Sequence, residues 1–256
     1  QQSANRFRSV SLASGASRAL NEREPDVALA LAFEAVNMDS PPQVAEQVLF
    51  DAISSTWIRH RYAGHTSRIN SVAFSPDGQS IVTAGWDGQV IVRDITTGET
   101  LNNYQHPEPG ARFLNIVFHP QGHMIAISGI DIGIILWNLV TDEITLPVTG
   151  EGLYFLSNFS SDGQWLAFTA STIVHILDVE TGDILQTFDE SDGIVLGPDL
   201  SPDRRYIVYG SQSPSVRIWD IETGELVQVL EHPQSPDVWV QSTVFIADGT
   251  QVISGD

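Results

Sequence analysis

Short segments in which apolar and polar residues alternate follow one another from residue 64 to the end of the chain. The first four are Ile69 to Phe74, Ser80 to Ala84, Gln89 to Asp94 and Thr100 to Tyr104, with Gly-bearing turns between them. Alternation with a period of two is typical of half-buried strands, and Asp-Gly breaks favour tight turns. The pattern therefore predicts a small four-stranded antiparallel sheet.

One turn phrase recurs along the chain at a nearly fixed interval. It reads Ser75 to Gly78, His119 to Gly122, Ser160 to Gly163, Ser201 to Arg204 and Ile246 to Gly249, at steps of 44, 41, 41 and 45 residues. A period near forty is typical of a β-propeller, whose blades can bury their faces only against one another. We expect blades at 62–105, 106–148, 149–188, 189–230 and, truncated, 231–256.

Helical periodicity replaces this alternation in the first 56 residues. A Ser- and Ala-rich helix is expected over 5–20, Leu29, Phe33 and Val36 share one face of a second helix, and Ser40 to Gln43 is typical of the start of a third. The second and third helices are expected to form an antiparallel hairpin of the tetratricopeptide kind, which serves either as a spacer or as a partner groove. The expected domains are a helical linker at 1–56 and an incomplete propeller at 57–256.

Negative charge is concentrated on the repeats. The chain has a net charge of −20 and no lysine, and residues 69–256 hold 25 acidic residues but only five arginines. Such a surface repels phosphate backbones, which argues against nucleic acid as a partner. The charge is explained either by a basic partner or by solubility through like-charge repulsion. No apolar run approaches the roughly 18 residues that a membrane span needs.

The motifs in these repeats resemble those of WD-repeat propellers. Gly64-His65 opens the first repeat, Trp219-Asp220 closes a strand of the fourth, and Asp220 to Glu225, with counterparts at 94–99 and 178–183, is similar to the bacterial branch of that family. The resemblance implies a mainly β fold, a partial WD-repeat β-propeller of about four and a half four-stranded blades with an N-terminal helical hairpin. It also implies protein partners, no cofactor and a cytoplasmic location.

In that family, a His of the Gly-His pair, a Ser or Thr, an Asp of a tight turn and a Trp form a buried hydrogen-bond chain in each blade. Arg93 and Leu177 stand where two blades would have Trp, so the resemblance implies incomplete networks here. Register assigns the network residues as His65, Thr83 and Asp87 in the first blade, Ser128, Asp131 and Trp137 in the second, and Trp219 in the fourth.

The segment Trp57 to Tyr62 has the register of a fourth strand that belongs to another blade. It precedes Gly64-His65 as Leu226 to Leu230 precedes His232. In closed propellers of the family such a strand completes the last blade. We therefore expect a further portion of the ring beyond Asp256.

The sequence contains no pattern typical of a catalytic, cofactor or metal site. Among seven histidines only His119 and His123 are close together, with no third ligand in register, so both are expected to be exposed turn residues. A Gly-Lys-Ser or Gly-Lys-Thr phosphate loop is excluded because there is no lysine. The Asp-Gly pairs lack the spaced carboxylates of a calcium loop and are better explained as hairpin turns.

Register also gives candidate partner-binding residues. The first set lies six and four residues before the apolar residue near the end of each blade's first strand. The second set is two residues that come just before a turn Asp. Both sets lie on one face of the disc, and in the family this face commonly binds partners. Large apolar and Arg side chains are typical anchors of protein interfaces, although half of these could merely cap the core. They are Arg68, Asn70, Trp86, Arg112, Leu114, Ile130, Leu153, Phe155, Ile194, Leu196, Trp239 and Gln241.

Together these features predict a non-enzymatic interaction scaffold or sensor module of a larger bacterial signalling or NTPase-type protein. The helical segment followed directly by the propeller is similar to linkers that join such propellers to an effector domain upstream in the same polypeptide. Two alternatives are an enzyme with its active site in the propeller channel and a purely structural subunit.

Overall fold

The chain forms two compact units, Gln1–Ala63 and Gly64–Asp256. The computed structural model describes residues 2–22, 24–38, 41, 43–56, 62–189, 193, 195–211, 215–231 and 240–255. The predicted strand at Trp57 to Tyr62 falls almost entirely outside these residues.

The first unit contains three helices, α1 (Gln2–Asn21), α2 (Pro25–Val36) and α3 (Gln43–Thr56). All three pack against one another, and alanines supply most of the buried contacts. Small side chains allow two helices to pack closely. A polar side chain between such helices is shielded from water. The fully buried Ser9 hydroxyl, for example, donates a 2.8 Å hydrogen bond to the Ala35 carbonyl.

The buried face of α2 differs from the one that the sequence predicted. Ala28, Ala32 and Ala35 are fully buried, whereas Phe33 is 62% exposed. In α3, Ala45, Val48 and Ala52 are buried, whereas Ile53 is 43% exposed. Large residues dominate a hydrophobic pattern, but the space between these helices is filled mostly by alanines.

The described part of the second unit is a series of separate antiparallel sheets. Within each sheet, every strand pairs with the next one in sequence. The strands of the first two are β1 (Ile69–Phe74), β2 (Ser80–Gly85), β3 (Gln89–Asp94), β4 (Thr100–Gln105), β5 (Arg112–Phe118), β6 (Met124–Ile130), β7 (Gly133–Asn138) and β8 (Ile144–Val148).

The next two sheets have the same plan, and a two-stranded sheet follows with a 3-10 turn, Ala247–Gly249, between its strands. The prediction of a mainly β fold built from four-stranded antiparallel sheets is confirmed. These strands are β9 (Tyr154–Phe159), β10 (Trp165–Ala170), β11 (Ile173–Asp178), β12 (Ile184–Asp189), β13 (Val195–Leu200), β14 (Tyr206–Ser211), β15 (Ser215–Asp220), β16 (Leu226–Glu231), β17 (Ser242–Ile246) and β18 (Gln251–Gly255).

Hydrophobic cores lie between successive sheets. Between the first and second, Val82 and Val92 pack with Phe113, Ile125 and Trp137, all of them buried. Equivalent cores join the second to the third, the third to the fourth, and the fourth to the two-stranded sheet. Each sheet therefore depends on its neighbours for burial, as the repeat period predicted.

Polar contacts also join the first strands of successive sheets. The Ser71 hydroxyl accepts a 3.1 Å hydrogen bond from the Ile116 N–H, and the buried Asp199 carboxylate accepts one of 2.8 Å from the Phe245 N–H. These bonds hold β1 beside β5 and β13 beside β17. The starts of neighbouring first strands consequently lie at one common end of the unit.

At the opposite end, the repeated turn phrases bond to one another. Ser161 donates a 3.0 Å hydrogen bond to the Pro202 carbonyl, and the Arg204 guanidinium lies 2.8 Å from the Asp162 carboxylate. Within the first turn, Ser75 donates to Asp77 and accepts from the Ser80 N–H. The turns thus fix each β-hairpin and also link successive blades.

His119 is buried at this end, which corrects the expectation that it is an exposed turn residue. The centroid of its ring lies 4.3 Å from that of His123 in the same blade. It lies 5.1 Å from that of Phe159 in the third blade. The Gln121 N–H donates to Nδ1, so Nε2 carries the proton and donates to the Gly163 carbonyl, 3.1 Å away. His119 therefore links two blades.

Candidate functional site

The candidate site is built around Trp86, which directly follows β2. Its backbone N–H donates a 2.9 Å hydrogen bond to the Arg68 carbonyl, which places Arg68, just before β1, beside it. Arg112 begins β5 in the next blade. Because β1 and β5 are held side by side, these three side chains converge.

Two guanidinium groups lie over the Trp86 ring. The Cζ atoms of Arg68 and Arg112 are 3.9 and 5.1 Å from its centroid, within the range of cation–π attraction. Asn70 holds Arg68 in place: its Oδ1 accepts a 2.8 Å hydrogen bond from Nε of Arg68, and its amide donates 3.0 Å to the Phe113 carbonyl. The cluster is therefore fixed to both blades.

An apolar surface continues from this cluster. Arg112 pairs with Ile130 across β5 and β6, and Ile130 forms a β-bridge with Leu153 of the third blade. Leu153 lies just before β9 and Phe155 lies within it, two residues later. Their side chains are 46% and 39% exposed. We call the set Arg68, Trp86, Arg112, Ile130, Leu153 and Phe155 the rim patch.

The remaining candidate residues contribute less to this surface. Leu114 is half-buried, Leu196 lies in β13 opposite Gly210, and the exposed Gln241 donates its N–H to the Gly255 carbonyl at 2.8 Å. Ile194 and Trp239 lie outside the described residues. The structure thus brings candidates from the first three blades into one surface.

In the first blade, His65, Thr83 and Asp87 are connected by hydrogen bonds. His65 Nδ1 lies 3.0 Å from Asp87, and Nε2 lies 2.8 Å from the Thr83 hydroxyl. Burial opposes ionisation of Asp87, but hydrogen bonds from His65, Thr66 and Gln89 outweigh it and hold its pKa below the ordinary value. Asp87 is therefore a carboxylate at neutral pH.

Arg93 occupies the strand position where the family has Trp in this blade. It is buried, and its guanidinium lies so close to Gly64 that a Cβ there would be 2.7 Å from Nη2. Gly64 has a φ of +143°, which also favours glycine. The Gly-His pair and Arg93 are thus fitted to each other.

In the second blade, Ser128, Asp131 and Trp137 do not form one chain. The buried Ser128 hydroxyl has no partner among the described residues, Asp131 accepts a 2.7 Å bond from the Gly152 N–H, and the Trp137 indole donates 2.8 Å to Asp142. Here no His bridges the strand and the turn, since His106 lies instead beside the Tyr104 and Phe113 rings.

Trp219 of the fourth blade packs among aromatic rings. Its ring is nearly parallel to that of Tyr209, with centroids 6.5 Å apart, and is tilted against Phe188 at 5.6 Å. It therefore contributes to the core between the third and fourth blades.

A groove of about 390 Å³ lies along the outer strands of the second and third blades, away from the rim patch. Leu146 and Val179 line it with two carboxylates, Glu143 and Glu180, but no histidine. Within the described ranges, no three His, Asp or Glu side chains are grouped so that they could hold a metal ion. Among the helices described, none has the length and apolar character required to cross a membrane.

Comparison with known proteins agrees with this architecture. Residues 57–94 and 182–220 match the sequence profile of the WD40 family, described as WD domain, G-beta repeat. Together with the four-stranded antiparallel sheets, this match decides the fold. The chain folds as a partial WD-repeat β-propeller.

Two curated relatives are themselves WD-repeat proteins. A WD repeat-containing protein of Schistosoma mansoni is 25% identical over 170 residues, which cover 66% of this chain and 56% of that protein. An uncharacterized WD repeat-containing protein of Synechocystis is 33% identical over 148 residues, which cover 56% of this chain and 40% of that protein. The chain spans about half the length of the curated relatives it matches. WD-repeat proteins generally mediate protein–protein interaction.

Proposed function

We propose that this WD-repeat propeller is a non-enzymatic protein-interaction module and that its partner binds the rim patch. One observation carries the proposal: Trp86, with two guanidinium groups over its ring, is continuous with the exposed side chains of Leu153 and Phe155. Trp and Arg are the residues that most often dominate binding energy at protein interfaces.

The rigidity of the rim patch supports this assignment. Asn70 ties Arg68 to the second blade, and β-sheet pairing fixes the backbones of Arg112, Ile130 and Leu153. A surface that is already ordered loses little conformational entropy when a partner binds. Preorganised anchors of this kind favour specific association.

The histidines support a non-enzymatic role. The Nδ1 and Nε2 atoms of His119 are both engaged within the protein, and His175 is stacked on Phe168 at 4.9 Å. Burial is the main cause that lowers the pKa of each. Neither is presented to a substrate.

We further propose that the chain belongs to a larger bacterial signalling or NTPase-type protein of the cytoplasm, as its sensor or scaffolding module. Two features support this: its likeness to the bacterial branch of WD-repeat sequences and the helical unit that precedes the propeller. The effector domain is expected upstream in the same polypeptide. Sequencing upstream of the helical unit tests this directly, because a phosphate-binding loop would support it.

Site-specific photocrosslinking tests the binding role. In the full-length protein, p-benzoylphenylalanine at position Phe155 is expected to form a covalent adduct with a protein partner. The same group at Val140, which is 79% exposed at the opposite end of the second blade, is the matched control. Failure to form an adduct at position 155, or equal yields at the two positions, would contradict the proposal.

A further inference from the structure

The cations of the rim patch have no anionic partner within the described residues. Arg204 and Arg205, at the opposite end of the propeller, pair with Asp162 and Asp220 at 2.8 and 3.3 Å. In contrast, no described carboxylate lies within ion-pair distance of Arg68 or Arg112, although both are exposed. Their positive charge is therefore available to a ligand.

This availability is unusual because the surrounding chain is strongly acidic. Residues 69–256 carry 25 acidic residues against five arginines. The rim patch nevertheless brings two arginines to one indole ring, and no carboxylate of the described part of the chain pairs with them. Both guanidinium groups lie at the same indole ring, so an anion bound there would be attracted by two positive charges.

The guanidinium groups of the rim patch can accept the charge of such a ligand. Nε of Arg68 already donates to Asn70, and no other hydrogen bond from the guanidinium of Arg68 or Arg112 is formed among the described residues. The Trp86 indole Nε1 is closed to solvent, so the ligand meets the guanidinium N–H groups and not the indole N–H. Carboxylates are strong acceptors for charged donors of this kind.

The apolar part of the rim patch limits what else the ligand contains. The half-buried Ile130 continues from Arg112, and Leu153 and Phe155 beyond it expose large apolar side chains. A free inorganic anion would leave this surface uncovered. A peptide that carries both carboxylates and apolar side chains would cover both parts.

We infer that the rim patch binds an acidic, partly apolar peptide segment of a protein partner, with carboxylates at Arg68 and Arg112 and an apolar side chain on Leu153 and Phe155. The inference rests on the proposed function and specifies its partner. A nucleic acid fits less well, because two arginines can neutralise few phosphates and the net charge of −20 repels the rest.

Fluorescence anisotropy with defined peptides tests the inference. The probe is a labelled twelve-residue peptide of alternating Glu and Leu, compared with Gln/Leu and Lys/Leu peptides of the same length on the whole 256-residue chain. The Glu/Leu peptide is expected to bind at least about tenfold more tightly than either, since bonds to charged groups contribute more than neutral ones. Added salt is expected to weaken binding.

Arginine variants assign this binding to the site. Arg68→Ala and Arg112→Ala are each expected to weaken Glu/Leu binding about tenfold, and Arg112→Lys to restore part of it. Arg205→Ala, at the opposite end of the propeller, is the matched control and is expected to bind normally. Thermal unfolding followed by circular dichroism establishes that each variant is folded.

Three results would overturn the inference: equal binding of the Gln/Leu peptide, unchanged binding by folded Arg68→Ala and Arg112→Ala variants, or tighter binding of a single-stranded oligonucleotide. Photocrosslinking separates this failure from failure of the proposed function. A partner adduct at position 155 that persists in the arginine variants would leave the interaction role standing and reject the acidic ligand. Absence of a site-specific adduct at position 155 in the protein with both arginines intact would reject the interaction role itself.

Discussion

The Cζ atom of Arg112, in the second blade, lies 5.1 Å from the centre of the Trp86 ring in the first. This contact crosses a blade interface but is exposed, and cation–π pairs at exposed sites contribute about 0.5–1 kcal/mol. Arg112→Ala is therefore expected to lower the free energy of unfolding by no more than about 1 kcal/mol, as measured by urea denaturation. A loss above about 3 kcal/mol would mean that Arg112 mainly supports the fold.

Gly163 is expected to be intolerant of substitution. Its φ is +79°, and a Cβ at this position would lie 1.9 Å from His119 Nε2. Gly163→Ala should therefore break the link between the second and third blades and cost more than about 3 kcal/mol in urea denaturation.

Gly78 provides the control for this prediction. It occupies the equivalent turn in the first blade with a φ of +68°, but no atom lies within 4 Å of its added Cβ. Gly78→Ala should therefore cost only the backbone strain of about 1–2 kcal/mol. Equal losses for the two variants would show that the His119 contact is unimportant.

Buried histidines are expected to make stability depend on pH. Burial lowers the pKa of His119 and of His175 below the ordinary value near 6.5, and the ring of His123 adds to the effect on His119 while Asp162 opposes it. The unfolded chain then binds more protons than the folded one. The stabilisation is complete above pH 6.5 and is lost as the pH falls toward the lowered pKa values.

Urea denaturation at pH 7 and pH 5.5 measures this effect. Most carboxylates titrate near pH 4, but burial raises the pKa of Asp199. A histidine variant is therefore needed to isolate the contribution of His119 to the change in this window. His119→Gln, whose side-chain amide can still donate to the Gly163 carbonyl, should reduce the loss between the two pH values. An unchanged loss in that variant would exclude His119 as a contributor.

The Asp87 carboxylate is expected to stabilise the first blade. It accepts hydrogen bonds from His65 and from the Thr66 and Gln89 N–H groups. Asp87→Asn removes the charged acceptor and should cost about 1.5–3 kcal/mol, with the native contribution lost as the pH falls below about 4 toward the lowered pKa.

Asp131 provides the comparison in the second blade. It is exposed, and its carboxylate accepts a 2.7 Å hydrogen bond from the Gly152 N–H. Asp131→Asn should therefore cost less than about 1 kcal/mol by the same measurement. If it destabilises the protein as much as Asp87→Asn does, the two turns have equal importance and the distinction fails.

The local plan of the blades could be predicted from the sequence. Alternation and Gly-bearing turns predicted Gln89 to Asp94 as a strand, which is β3, and placed the neighbouring strands to within one residue. These features depend on backbone conformation and on residues close in sequence. They are therefore visible in the order of residues alone.

Long-range packing could not be predicted in the same way. The buried alanine face of α2 depends on α1 and α3, and the burial of His119 depends on Gly163, 44 residues later in the chain. Register correctly located Arg68, Trp86 and Arg112 at the ends of their strands. It gave no signal that both arginines would lie over one indole ring.

The affinity of the partner for rim-patch variants tests the central claim most directly. With a partner identified by crosslinking, isothermal titration calorimetry should show that the Trp86→Ala, Phe155→Ala double variant binds at least about 100-fold more weakly than the native protein, since each anchor contributes about 2 kcal/mol or more. A Val140→Ala, Leu146→Ala double variant, which removes exposed apolar side chains elsewhere, should bind normally. Native affinity in a folded Trp86→Ala, Phe155→Ala protein would contradict the account.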